Sequence, residues 1–188
     1  MTRAEMKSDA KAQIHGKVGI IFVMSLVIFA IFLVCAFVPV LGWIAALIIT
    51  PAFTLSLCMV YLKLTENEDI SVGNVFDGFS KTGRALWLNI LINIFTSLWS
   101  LLFFIPGIIK SYAYSMSYYV LADNPDFTAR QAITKSRQIM KGHKMDFFIL
   151  ELSFFWWNIL VSLTLGIAAI YVIPYKNATI ANFYNSIK

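Results

Sequence analysis

The sequence predicts an all-α, polytopic membrane protein. Its 188 residues are 59% hydrophobic and 13% charged, with a mean hydropathy of +0.74, whereas an ordinary soluble domain has about 25% charged residues. Three runs carry no charged side chain: residues 18–62, 85–109 and 152–175. Helices are favoured over barrel strands because these runs are continuously apolar and do not alternate between apolar and polar residues.

Six membrane crossings account for these runs. A hydrocarbon core of about 30 Å takes about 20 helical residues, so residues 18–62 must cross the bilayer, turn and cross back. We predict spans at about 18–38, 43–64, 85–105, 107–122, 145–164 and 167–184. They pair into three hairpins within one integral membrane domain, residues 1–188, and the hairpins cover about 18–64, 85–122 and 145–184. Lys110, near the start of the fourth span, is expected to extend to the outer surface.

The lysine and arginine residues predict the orientation. In the six-span arrangement the following basic residues fall on one side: Arg3, Lys7, Lys11, Lys17, Lys63, Lys81, Arg84, Arg130, Lys135, Arg137, Lys141, Lys144 and Lys188. The opposite loops are short and hold no basic residue, so the positive-inside rule predicts that both termini are cytoplasmic. The first span is expected to be retained, because it is longer than a signal sequence and no small-residue cleavage site follows it. The net charge of +5 then belongs to the membrane surface, and no nucleic-acid partner is expected.

Two cytoplasmic segments are predicted to form helices on the membrane surface. Residues 2–15 begin with a Thr2-x-x-Glu5 capping box and end at Gly16, which supplies a stop. Residues 125–141 follow Asn124, a good N-cap, and have Pro125 at the first helical position.

The second of these segments carries two stripes. One stripe is apolar or small and consists of Ala129, Ala132, Ile133, Ser136 and Met140. The other is basic and consists of Arg130, Arg137, Lys141 and Lys144. A basic amphipathic helix at a membrane indicates contact with anionic lipid head groups. The alternative is that the helix packs against the ends of the spans while its charges only fix the topology.

Charged residues inside the predicted spans are candidates for function, because a charge within a bilayer is costly. Glu151 lies fifteen residues before Gly166, and Lys176 lies ten residues after it. On antiparallel helices that rise about 1.5 Å per residue, the two positions differ in depth by about 7–8 Å. We therefore predict an ion pair between Glu151 and Lys176 inside the last hairpin.

Uncharged polar residues also share helix faces. Asn89 and Asn93 lie on the third predicted span, Tyr114 and Ser117 on the fourth, and Asn158 on the fifth. Such faces either join helices through hydrogen bonds or line a small hydrated cavity. The first case is structural, and the second would favour transport.

Glycines recur in a pattern that suggests three repeated hairpins. One set precedes the hairpins beside basic residues: Gly16, Gly83 and Gly142. The other set marks the turns: Gly42, Gly107 and Gly166. Hairpin-built membrane proteins in general place glycine at turns, so the pattern fits both a true repeat and this common tendency.

Motifs for enzymatic chemistry are missing from the sequence. It contains no phosphate-binding Gly-rich loop, no HExxH, no GxSxG and no Cys/His cluster. Cys35 and Cys58 both fall in apolar runs and are expected to be buried free thiols. We expect no cofactor and no catalysis; an intramembrane enzyme would have to work with Glu151, tyrosine and lysine alone.

Several blocks of the sequence resemble a known family. They are Phe-Ile-Pro-Gly-Ile-Ile-Lys-Ser-Tyr-Ala-Tyr-Ser-Met at 104–116, Leu-Ala-Asp-Asn-Pro at 121–125, Ala-Ile at 132–133, Ser-Arg at 136–137, Met-Lys-Gly-His-Lys at 140–144 and Phe-Tyr at 183–184. Together they resemble the bacterial integral-membrane family called domain of unknown function nine-seven-five. More loosely, they are similar to the membrane domain of some glycerophosphodiester phosphodiesterases. The resemblance implies a bacterial cytoplasmic membrane protein and brings no established activity.

These observations predict a non-enzymatic module that binds membrane lipid, through anionic head groups, or another membrane protein. The second hypothesis is a small transporter, or a protein that protects against a membrane-active peptide, with a polar pathway through the last four helices. An intramembrane enzyme is the third. The oligomeric state and the ligand stay open at this stage.

Overall fold

The computed structural model describes residues 2–38, 40–102 and 104–188, and it confirms the predicted all-α class. The helices are α1 (Arg3–Ile14), α2 (Val18–Ala36), α3 (Leu41–Thr65), α4 (Thr82–Leu102), α5 (Phe104–Tyr114), α6 (Ser117–Asp123), α7 (Ala129–Ile139), α8 (Lys144–Leu152), α9 (Phe155–Leu163) and α10 (Ala169–Ile187). A 3-10 segment, Val72–Lys81, precedes α4 and packs against α3.

Three stretches of the described residues are long and apolar enough to cross a membrane: α2, α3 and the α8–α9 unit, Lys144–Leu163. They coincide with the first, second and fifth predicted spans. The fourth predicted span is divided into α5 and α6, of 11 and 7 residues, each shorter than one crossing. At the break, the backbone nitrogen and the hydroxyl of Ser115 both donate to the carbonyl of Tyr112, three residues back.

The first two hairpins are built on close contacts at a glycine. A Cβ atom added to Gly42 would lie 1.8 Å from the carbonyl oxygen of Cys35, and one added to Gly107 would lie 2.3 Å from the hydroxyl of Ser100. In each case the partner lies seven residues before the glycine. Gly166 differs, because its φ is +92° and an added Cβ would meet nothing within 4 Å. The glycines therefore play the same packing role in the first two hairpins, and Gly166 in the third hairpin does not share it.

The buried core lies towards one end of the helix bundle. The second half of α3 and the second half of α10 supply much of it, including Leu55, Leu64 and Tyr184, each less than 2% exposed. The opposite end is apolar and exposed. Its large exposed side chains include Phe37, Trp43, Leu101, Leu165 and Ile167. Monomeric soluble proteins rarely expose a contiguous apolar surface of this kind.

Helix α1 brings the two ends of the chain together. Met6, Ala10 and Ile14 are buried along one face, and α1 packs against α10. The predicted Thr2–Glu5 capping box is confirmed: the Glu5 nitrogen donates to the Thr2 hydroxyl at 3.3 Å, and the Thr2 nitrogen donates to the Glu5 carboxylate at 2.7 Å. Thr2 and Ser186 line the same cavity, so the chain begins and ends on one side of the bundle.

The predicted start of the basic helix is wrong. Helix α7 begins after Thr128, which forms a capping box with Gln131. Asn124 instead follows the end of α6, where its side chain donates to the carbonyl of Val120 at 3.0 Å. Pro125 occupies a turn closed by a bond of 3.1 Å from the Phe127 nitrogen to the Asn124 carbonyl. Proline is favoured at the second position of such a turn and also at the first position of a helix. The local sequence therefore fits both a turn and a helix start at Pro125.

Candidate functional site

Glu151 and Lys176, predicted to pair, lie together in the structure. The Lys176 ammonium nitrogen is 3.4 Å from the Glu151 carboxylate, and the two side chains are 31% and 33% exposed. They project from α8 and α10, which run antiparallel and pack through their aromatic residues. Phe147 of α8 and Phe183 of α10 have ring centroids 5.2 Å apart. Phe154, just after α8, lies at the same distance from Tyr175, next to Lys176. The pair joins the first and last helices of the third hairpin and is open to its surroundings.

Two lysines of α1 lie over the aromatic residues beside this pair. The Lys7 ammonium is 4.6 Å from the centre of the Phe154 ring, and the Lys11 ammonium is 5.5 Å from the centre of the Tyr175 ring. Burial against the bundle, and then repulsion from Lys11, lower the pKa of Lys7. Cations over aromatic faces are attracted by the ring quadrupole, so α1 is attached to the segment between α8 and α9 as well as to α10.

The predicted polar faces do not meet at a single place. Asn93 donates to the carbonyl of Asn89 at 2.9 Å, so these two are neighbours on α4. Tyr114 and Ser117 are buried on either side of the break between α5 and α6. Asn158 is exposed on α9, where its carbonyl accepts a bond of 3.2 Å from Ser162 of the same helix. The hydrogen bonds that Asn93 and Ser162 donate stay within their own helices.

The two stripes of α7 have different environments. The apolar stripe faces the protein: Ala129, Ala132, Ile133, Ser136 and Met140 are all buried. The basic stripe faces outward, because Arg130, Arg137 and Lys141 are exposed and Lys144, at the start of α8, is half-buried. We call these four cations the basic surface. The helix packs against α4, α5 and α6, so its apolar side is not available to enter lipid.

A buried hydrogen bond fixes the position of α7. The hydroxyl of Ser136, 0% exposed, donates to the carbonyl of Ala113 in α5 at 2.9 Å. In the turn before the helix, the Arg84 guanidinium donates to the carbonyl of Pro125. A cavity of about 320 Å³ lies on the outer side of α7 between Arg130 and Lys135. The basic surface is therefore held on a fixed support.

Lys110 lies over an aromatic ring of α4. Its ammonium is 4.4 Å from the centre of the Trp99 ring. The expectation that it extends to the outer surface stays a prediction. The sequence shows a lysine inside an apolar run, but it does not show which side chains surround that lysine in the folded protein.

Among the described residues, no group of three His, Cys, Asp or Glu side chains is arranged to hold a metal ion. His143 pairs with Asp146 at 3.4 Å, and Cys58 is buried in the core. The chemistry that the described site offers is that of fixed positive charge beside aromatic and apolar side chains.

The comparisons identify the family. The model of the family described as "Protein of unknown function (DUF975)" matches residues 1–110 and 101–188. These matches cover the whole chain, and the protein belongs to this family. No curated protein and no solved structure matches the chain.

Proposed function

We propose that this DUF975 protein is a multi-pass membrane protein, resident in the bacterial cytoplasmic membrane, whose basic surface binds anionic lipid head groups without catalysing a reaction. The observation that carries the proposal is the division of α7: its apolar stripe is buried in protein, while Arg130, Arg137 and Lys141 are exposed. Cations near an anionic membrane each contribute on the order of 1 kcal/mol to binding.

Insertion in a membrane is supported by the distribution of apolar residues. Three stretches have the length and composition of a crossing, and exposed apolar side chains such as Leu165 and Ile167 gather opposite the end that holds the chain termini. Hairpins α2–α3 and α8–α10 supply four crossings. The second hairpin supplies the other two of the six predicted crossings, because α4 has 21 residues, enough for one crossing, and α5 and α6 return together.

This topology is tested by labelling single cysteines in intact cells with a membrane-impermeant maleimide. In a background of Cys35→Ala and Cys58→Ala, we expect Leu165→Cys to be labelled and Ser186→Cys to be protected. Leu101→Cys, at the same apolar end as Leu165, should also be labelled, and its protection would argue against six full crossings. Labelling of Ser186→Cys from outside would overturn the shared cytoplasmic location of the termini.

Lipid binding is tested on the detergent-solubilised protein by native mass spectrometry. We expect tighter binding of phosphatidylglycerol than of zwitterionic phosphatidylcholine. The double variant Arg130→Gln with Lys141→Gln should weaken phosphatidylglycerol binding at least tenfold, at about fivefold for each cation. Lys17→Gln is the control, because Lys17 lies away from α7 and donates to the carbonyl of Glu68 at 2.7 Å. Equal binding of both lipids by the unaltered protein would overturn the proposed function.

Binding is favoured over transport by the hydrogen bonds of the polar faces. The amide of Asn93 and the hydroxyl of Ser162 both donate to carbonyls of their own helices. Tyr114 and Ser117 are packed in the core. A polar pathway needs such groups to face a shared cavity, and the contacts of these residues do not support one.

A further inference from the structure

We propose that one exposed face of α4 pairs with the same face of a second copy of the chain, so that Asn93 is hydrogen-bonded to Asn93 of the partner subunit. The inference rests on the part of the proposed function that places α4 across the membrane. It goes beyond lipid binding, because it assigns a protein partner. The residues of this surface, which we call the α4 face, are Ile90, Asn93, Ile94, Ser97 and Leu101.

The described part of the chain leaves the α4 face uncovered. Ile94 and Leu101 are 48% and 87% exposed, and Asn93 is exposed beside them. The helix packs against α3, α5 and α7, and Ala85 and Leu88, on its opposite side, are 0% exposed. The contacts within one chain therefore use one side of α4 and leave the other side free.

The spacing of the α4 face fits a second helix. Its members Ile90, Ile94, Ser97 and Leu101 follow one another at intervals of four, three and four residues. This is the spacing of residues along the seam between two helices of a coiled coil. Ser97, one turn after Asn93, is small, and small residues at such a seam let two helices approach closely in a membrane.

The depth of Asn93 makes contact with lipid unfavourable. Asn93 lies eleven residues after the first residue of α4 and nine before the last, which is about 14–16 Å from either end and near the middle of the hydrocarbon core. Its amide nitrogen donates to the backbone and side-chain oxygens of Asn89 at 2.9 and 3.2 Å. Among the described residues, its own side-chain oxygen accepts no hydrogen bond, and an unsatisfied polar group is costly in hydrocarbon.

Asn158, the exposed asparagine of α9, does not need cover to the same degree. It lies five residues before Leu163, where the α8–α9 unit ends, so it is about 7–8 Å from that end. The cost of a polar side chain falls towards the head groups. The requirement for a partner is therefore strongest at Asn93.

The chemistry of Asn93 selects a second copy of the chain as that partner. An amide holds both donors and an acceptor, so two identical amides related by a twofold axis satisfy each other. One N–H of Asn93 is used by Asn89, and the second is free to donate across the axis. The α4 face carries no charge, so it does not match a partner that binds through opposite charge. Asparagine at one position of a helix seam also fixes the register of pairing.

The test measures the oligomeric state of fluorophore-labelled protein in liposomes of phosphatidylcholine and phosphatidylglycerol, by single-molecule photobleaching over a range of protein-to-lipid ratios. We expect dimers, and we expect Asn93→Val to weaken dimerisation about fivefold or more. Asn93→Gln keeps an amide and should retain the dimer. Asn158→Val removes the other exposed amide and is the matched control, which should leave dimerisation unchanged. Circular dichroism verifies that each variant is folded.

Cross-linking in membranes locates the contact. In a background of Cys35→Ala and Cys58→Ala, we expect Ser97→Cys to form a disulfide between two copies when oxidised with copper phenanthroline. Ser162→Cys is the matched control, because it makes the same change at an exposed position of α9, and it should stay monomeric.

Three results would overturn the interface: monomers of the unaltered protein at every ratio, equal dimerisation of Asn93→Val and the unaltered protein, or a cross-link at Ser162→Cys without one at Ser97→Cys. The proposed function is judged separately, by the preference of the same preparations for phosphatidylglycerol over phosphatidylcholine. A monomer with that preference overturns the dimer alone, and a dimer without it overturns lipid binding alone.

Discussion

The backbone of Gly42 in α3 touches the backbone of Cys35 in α2, so that a Cβ atom on Gly42 would lie 1.8 Å from the Cys35 carbonyl oxygen. Gly107 and Ser100 repeat the relationship in the second hairpin with the same spacing of seven residues. In both hairpins the glycine is needed because the neighbouring helix lies where a side chain would be. Small residues at helix contacts allow close packing, which drives association in lipid.

Gly42→Ala is expected to destabilise the first hairpin. The added methyl group meets a carbonyl group, which moves only if the helices separate, and overpacking of this kind costs about 1–3 kcal/mol. Thermal unfolding in detergent, followed by circular dichroism, measures the effect. Gly19→Ala is the matched control: Gly19 lies in α2 with nothing within 4 Å of an added Cβ, so the same change should be neutral or slightly stabilising. Equal melting temperatures for the two variants would contradict the contact.

Glu151→Gln is expected to lower stability by removing the partner of Lys176. Both side chains are about one-third exposed, so solvent screens the pair, and in detergent its coupling should be about 0.5–1 kcal/mol. A double-mutant cycle with Lys176→Met isolates this coupling from the separate effects of each change. In lipid, where an unpaired charge costs more, the single variant should lose more stability than it does in detergent.

Asp77→Asn supplies the control for that cycle. Asp77 pairs with Lys63 at 3.1 Å and has a similar exposure, but it belongs to a separate ion pair. Its effect should add to that of Lys176→Met, whereas the effect of Glu151→Gln should not. Additive behaviour of Glu151→Gln and Lys176→Met would argue against an energetic coupling of the two.

The helical class and the two most apolar helices could be predicted because a long uncharged run fits a membrane-spanning helix far better than any element of a soluble domain. The contact of Glu151 with Lys176 also follows from counting residues on either side of Gly166, where the turn is short and α8 and α10 are antiparallel. The contact of Lys110 with Trp99 could not be predicted in this way. It depends on how α4 and α5 pack against each other, and residue counting does not give that packing.

Local chemistry explains why the sequence predicts the wrong start for α7. Asn124-Pro125 and Thr128 with Gln131 are both credible helix starts, and sequence alone does not rank them. The tertiary structure decides, because Ala129, Ala132 and Ser136 must face the bundle, while Asn124 still closes the last turn of α6. The stripes were predicted correctly since their spacing does not depend on where the helix begins.

Thr128→Ala is expected to loosen the first turn of α7. The Thr128 hydroxyl accepts from the Gln131 nitrogen at 3.4 Å, and the Thr128 nitrogen donates to the Gln131 side chain at 2.8 Å. Losing such a cap costs about 0.5–2 kcal/mol. Amide hydrogen exchange of residues 129–132 should therefore become faster. Thr134→Ala, in the exposed middle of the same helix, should leave exchange unchanged or slow it, and equal exchange in both variants would mean that the Thr128 hydroxyl does not stabilise the first turn.

Asn182→Ala is expected to release α1 from the bundle. Asn182 is 3% exposed; its amide donates to Gln13 at 3.0 Å and to the Met6 carbonyl at 3.2 Å, and it accepts from Gln13 at 3.1 Å. Removing it leaves the Gln13 amide without its partner, at a cost of about 1–3 kcal/mol. Since α1 is joined to the rest of the bundle through few other polar contacts, hydrogen exchange should accelerate along Arg3–Ile14.

Asn93→Ala is the comparison for this last change, because Asn93 is exposed and bonds within its own helix. It should leave the exchange of α1 as it is. Tryptic cleavage after Lys7 gives a second measure, since Lys7 is half-buried and lies over an aromatic ring while α1 is attached and becomes accessible when it detaches. Unchanged exchange and cleavage in Asn182→Ala would mean that the buried face of Met6, Ala10 and Ile14 holds α1 by apolar contact alone.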